Sequence, residues 1–95
     1  MAEQKEIKIQ FPPEIIGGVY ANNTFIAHTR EEFIMDFVLV APPTGKVTAR
    51  VIISPGHMKR MVKALQDNLK KYENKYGSLK ETEGPKIKFG FQSQQ

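Results

Sequence analysis

The side chains whose types and spacing could do chemistry are His28, Glu32, Asp36, Arg50, Ser54 and His57. Ser54 and His57 have the makings of a nucleophile and its base. Three residues apart at the start of a predicted helix, however, the serine is better used as an N-cap, and Pro55 suits the first helical position, where a missing amide costs nothing. No Gly-x-Ser-x-Gly elbow accompanies them. Glu32 and Asp36 alternate onto one face of a predicted strand with Ile34 between them, the arrangement of a hydrolytic carboxylate pair. Arg50 changes that reading, because the hairpin register argued below sets it opposite Asp36. A carboxylate on a partly apolar face needs a counter-charge before it needs a substrate. The two residues therefore read as an ion pair that holds register.

The two histidines have no acids at a recognisable metal-ligand spacing; the nearest to His28 are Glu31 and Glu32. The chain has no cysteine, so disulfides, thiolate metal sites and thiol nucleophiles are excluded. Gly17-Gly18 lacks the remaining glycines and the lysine of a phosphate-binding loop and reads as a bend. The expectation is a protein that is not an enzyme, with no catalytic residue, no metal site and no cofactor.

The elements that must position these residues follow from periodicity. Residues 5–11 alternate, with Ile7, Ile9 and Phe11 on one side and Glu6, Lys8 and Gln10 on the other, which predicts a first strand ended by Pro12-Pro13. A second strand is expected from Val19 to Ala27, with His28 in the turn that follows. Phe33 to Val40 and Lys46 to Ile53, joined by Ala41-Pro42-Pro43-Thr44-Gly45, read as a hairpin. Setting Val40 against Lys46 places Phe33, Met35, Phe37 and Leu39 opposite Ile53, Val51, Ala49 and Val47, one continuous apolar face. The other face carries Ile34, Asp36, Val38, Arg50 and Ile52 with Thr48. It is too apolar for open water and too polar for a plain core, so it is expected to meet a protein partner or a second copy.

Beyond Ser54, residues Met58, Val62, Leu65, Leu69, Tyr72 and Tyr76 recur at alternating spacings of four and three, with Met61 widening the stripe and Gly77 placed as the C-terminal cap. The stripe is expected to pack on the sheet. The back of the same helix carries Lys59, Arg60, Lys63, Lys70, Lys71 and Lys75 against Asp67 and Glu73, a surplus equal to the +4 of the whole chain. Lys59, Arg60, Lys63, Lys70 and Lys71 are thus candidates for tracking a phosphate backbone, beside the reading of a solvated helix exterior. A single arginine on that face argues against base-specific reading.

Residues 1–79 accordingly form one α+β domain, an antiparallel β-meander of about four strands followed by one long amphipathic helix. Residues 80–95 form a polar tail in which Lys86 to Phe91 alternates again, and reads either as an added edge strand or as an unstructured end. A chain this short holds one core, and a single sheet with one helix leaves a sheet face uncovered, so a homo-oligomer is expected, most simply a dimer. The charged opening from Met1 to Glu6 lacks the apolar stretch of a signal peptide, and the longest apolar run, Phe37 to Ala41, is far short of a membrane span. Both point to a cytoplasmic protein with no membrane partner, in which the Asn22-Asn23-Thr24 sequon would go unused.

Gly18-Val19-Tyr20-Ala21-Asn22, His28-Thr29, Glu32-Phe33, Asp36-Phe37 and Ser54-Pro55-x-His57-x-Lys59-Arg60 together resemble a small prokaryotic family known as a domain of unknown function. The resemblance runs from Ile7 to Gly77 and implies no activity, substrate or site residue. In outline the order of strands and helix is also similar to the bacterial export chaperone SecB, without shared motifs.

Overall fold

The computed structural model describes residues 5–81 and Gly90. A single 3-10 turn at Pro13–Ile15 precedes three strands, β1 (Asn23–His28), β2 (Phe33–Ala41) and β3 (Thr44–Ile53), and one helix, α1 (Pro55–Tyr76). The strands form an antiparallel sheet in the order β1-β2-β3, so the fold is an α+β arrangement of a meander followed by a long helix.

No fourth strand forms among the described residues. Residues 5–11 alternate as a strand should, yet among the described residues they join no strand, and Ile7, Ile9 and Phe11 are exposed. Alternation prescribes an extended backbone, but a strand exists only where a neighbouring ladder accepts it. Here Pro12-Pro13 turns the chain away through amides of Ile15 and Ile16 donating to the carbonyls of Pro12 and Pro13. The second predicted strand begins late for a related reason. Gly18 takes a left-handed φ of 70°, Val19 and Tyr20 stay exposed, and pairing starts at Asn23. At its other end the strand runs one residue further than expected, so His28 pairs with Phe33, their rings 5.6 Å apart.

The hairpin register agrees with expectation over Phe33↔Ile53, Ile34↔Ile52, Met35↔Val51, Asp36↔Arg50 and Phe37↔Ala49. It then shifts by one, to Val38↔Val47, Leu39↔Lys46, Val40↔Gly45 and Ala41↔Thr44. The expected facing of Leu39 with Val47, and of Val40 with Lys46, is therefore corrected. The cause is the turn. Ala41 pairs with Thr44, so the connection is only Pro42-Pro43, and a two-residue loop dictates a register one step away from that of the apolar and ionic pairs further along. A bulge reconciles the two, with Thr48 as the extra residue, its hydroxyl donating to the Phe37 carbonyl at 3.1 Å. Past the bulge Val47 joins Val38 on the mixed face, which interrupts the continuous apolar face.

Ser54 caps α1 as its position suggested, its Oγ accepting from the His57 amide at 3.2 Å, with Pro55 at the first turn. At the other end the Gly77 amide donates to the Glu73 carbonyl. What differs is the packing. Extended contact between elements is confined to the two strand pairings. Met58 and Met61 are half-buried, but Val62, Leu65, Leu69, Tyr72 and Tyr76 are 43–65% exposed. The expected docking of the whole stripe on the sheet is corrected: a 22-residue helix is about 33 Å long, and only its beginning stays with a sheet this small. Among the described residues the buried apolar side chains are Met35, Val38 and Ile53.

Candidate functional site

Two surfaces collect the residues singled out by type and spacing. The first is the mixed face of the sheet. Arg50 reaches across β2 and β3 as a fork, Nε donating to Asp36 Oδ1 at 2.6 Å and its terminal nitrogen to Oδ2 at 2.9 Å. The Asp36 side chain is 15% exposed and that of Arg50 62%. The hydrogen bonds from Arg50 hold the Asp36 carboxyl below the ordinary carboxylate range, partial desolvation opposes this, and the guanidinium charge adds to the lowering. Arg50 is raised in turn by the same contact. An acid held this firmly in its charged, paired form is poorly suited to proton transfer.

Around the pair, Ile34 and Phe25 are half-buried, Ile52 is 52% exposed, and Val38 is 5% exposed. Val38 thus belongs to the chain's own core and has almost no surface to offer, while Ile52 and the outer edge of Arg50 do. Glu32, its carbonyl accepting from the Thr29 amide and its own amide donating to Thr29 Oγ1, sits in the β1-β2 turn as an exposed residue and is held by Thr29, not by Asp36. His28 ends β1 and His57 lies in the first turn of α1; among the described residues no group of three His, Asp or Glu side chains is placed to hold a metal ion. A shallow depression at the tip of the hairpin, lined by Leu39, Ala41, Thr44, Gly45 and Lys46, offers one ionisable group.

One polar contact escaped sequence reasoning. The side-chain amide of Asn22 donates to the Val40 carbonyl at 2.9 Å and accepts from the Val40 amide at 2.8 Å, so it copies a strand backbone and closes the β1-β2 ladder. The sequon drew attention to Asn22 for another reason; an asparagine just before a strand was the signal available.

The second surface is α1. Its apolar stripe spans about 100° of arc, the width of a helix face meant to be covered, and most of it is open. Tyr72 and Tyr76 stack loosely, ring centroids 4.9 Å apart, with Lys75 Nζ 5.2 Å from the Tyr76 ring. Arg60, Lys63, Lys70 and Lys71 line the opposite side and Lys59 the flank between it and the stripe, all exposed, and none forms an ion pair among the described residues.

A family model described as a protein of unknown function, DUF3467, matches residues 1–81. The chain belongs to the DUF3467 family. No curated protein and no solved structure matches it. For a DUF3467 domain, then, chemistry has to be argued from these two surfaces, one holding a satisfied ion pair and the other an uncovered apolar stripe. No helix among the described residues is long and apolar enough to cross a membrane.

Proposed function

We propose that this protein is a non-enzymatic interaction module that works as a homo-oligomer, a dimer in the simplest case, and presents its assembled surface to a further protein partner in the cytoplasm. The observation that carries this reading is the open stripe of α1. Val62, Leu65, Leu69, Tyr72 and Tyr76 fall at heptad spacing and remain about half exposed in the single chain. Covering them would contribute on the order of 5 kcal/mol per helix as an upper estimate. A patch of this kind on a soluble chain marks an interaction surface. The small core supports the same reading, since three buried apolar side chains among the described residues are few for a domain of this length. On the sheet, Ile52 and Arg50 would form the rim of a contact and Asp36 its fixed counter-charge.

Sedimentation equilibrium on the full chain tests it. Self-association should persist to micromolar concentration and be lost in a Leu65→Asp/Leu69→Asp variant whose helical circular dichroism is retained. A wild-type monomer at high concentration would end the reading.

A second reading rests on the opposite side of the helix. Lys59, Arg60, Lys63, Lys70 and Lys71, which form no ion pair among the described residues, make a ridge that could follow a phosphate backbone. It requires DNA or RNA retention that weakens steeply as salt rises and disappears in Lys63→Glu/Lys70→Glu. No retention at low salt removes it.

A further inference from the structure

We infer that two copies of α1 pair antiparallel across a two-fold axis between Leu65 and Leu69, an arrangement that rests on the self-association proposed above and specifies its geometry. The stripe is complementary to its own reverse. Its small end holds Val62 and its bulky end Tyr72 and Tyr76, with Leu65 and Leu69 between. Two helices running the same way would set Tyr72 against Tyr72 and Tyr76 against Tyr76, crowding one end and leaving a gap at Val62. Running opposite ways, Val62 meets the partner's Tyr72, Leu65 meets the partner's Leu69, and the half-buried Met58 meets the partner's Tyr76. The layers away from the axis then match a smaller side chain with a larger one, the layers beside it set leucine on leucine, and the outermost layer sets a thioether against an aromatic ring.

Charge gives the same answer independently. Lys59, Gln66 and Glu73 lie seven residues apart along one flank of the stripe. In an antiparallel pair that flank faces itself, so Lys59 lies beside the partner's Glu73 and the reverse, with Gln66 beside the partner's Gln66 at the axis. In a parallel pair the flank faces the other one, Met61, Asn68 and Lys75, and neither opposite-charge pair forms. Lys59 is exposed and forms no ion pair among the described residues. Glu73 uses Oε2 to accept from the Leu79 amide at 2.8 Å, which steadies the carboxylate at the edge of the stripe. The two sheets then sit at opposite ends of the helix pair, where neither obstructs the other, and the lysine-rich backs face outward.

The occupant is a second copy because the complementarity is with the stripe's own reverse: bulk at one end against small side chains at the other, and cation against anion on one flank. An unrelated partner would have no reason to be encoded in this way within the chain itself.

Charge exchange in the full-length protein tests the arrangement by sedimentation at low salt. Lys59→Glu should weaken association on the order of ten-fold, because two attractive pairs become two repulsive ones. Glu73→Lys should do the same, and the double variant Lys59→Glu/Glu73→Lys should recover wild-type affinity. Helical circular dichroism of each variant separates lost association from lost fold. As a second readout, the absence of native cysteine lets Gln66→Cys report proximity alone. A short bismaleimide should link it to the partner's Gln66 in high yield, whereas Asp67→Cys, on the outer side, should stay unlinked. If the double variant associates as weakly as either single one, or Gln66→Cys does not link, the antiparallel arrangement is overturned while dissociation by Leu65→Asp/Leu69→Asp would keep the stripe as the contact. If that variant associates like wild type, both fall.

Discussion

Arg50 grips both carboxylate oxygens of Asp36 at 2.6 and 2.9 Å, and the two residues face each other in register across β2 and β3. The bulge at Thr48 lies two residues beyond Arg50, so this ion pair is the last polar tie in the register shared with Ile53 before the turn imposes its own. Asp36→Asn and Arg50→Gln should therefore each destabilise the fold, and their double-mutant cycle should show positive coupling in urea unfolding. Arg50→Lys should recover only part of that coupling, since a single ammonium cannot reproduce the fork. With the guanidinium mostly in water, the coupling should also shrink as salt rises.

The same pair makes stability fall in acid. Asp36 has a folded pKa below its unfolded value of about 3.9, so the folded state binds fewer protons there. Its contribution is fully present above that value and is lost as pH falls through the folded one. The stability difference between wild type and Asp36→Asn should thus be constant from neutral pH down to about 5 and then close. A difference that widened in acid would contradict the assignment.

Asn22 closes the end of the β1-β2 ladder with two hydrogen bonds to one residue, Val40. Asn22→Ala should cost about 1–2 kcal/mol, and Asn22→Asp, which can accept but not donate, about half as much. Hydrogen exchange reads the contact directly: protection of the Val40 amide should drop in Asn22→Ala while that of the β2-β3 amides near Asp36 is kept.

Much of this fold was legible because its cues are local. Ser54, Pro55 and Gly77 mark the ends of α1 by what their own backbones allow, and the alternation from Phe33 to Phe37 with one acid and one base in step marks the register. What was not legible depended on partners. Residues 5–11 have a strand's period but no ladder to join among the described residues, and the Pro42-Pro43 loop proved shorter than the turn-forming stretch around it. The stripe of α1 announces that something must cover it and is silent on whether that is the sheet. The alternating stretch from Lys86 to Phe91 lies, Gly90 apart, outside the described residues.

The core that does exist is small, and each member should matter. Met35 is 4% exposed at the centre of the middle strand. Met35→Ala should cost about 2–5 kcal/mol, a large share of the stability of any small domain. Val51→Ala, 40% exposed on the neighbouring strand, should cost far less. Chemical denaturation at one fixed protein concentration compares them.

Fixing the concentration matters because stability and assembly are linked in this chain. If the stripe of α1 is covered only in the oligomer, unfolding and dissociation are one event, and the unfolding midpoint must depend on protomer concentration. For a dimer each ten-fold dilution should remove about 1.4 kcal/mol from the apparent stability, and the thermal midpoint should fall accordingly. Leu65→Asp/Leu69→Asp should lower the midpoint and, more tellingly, abolish its dependence on concentration. A wild-type midpoint independent of concentration over two decades would mean that the small core, a forked ion pair and the sheet hydrogen bonds hold this fold by themselves, with the stripe left for another molecule.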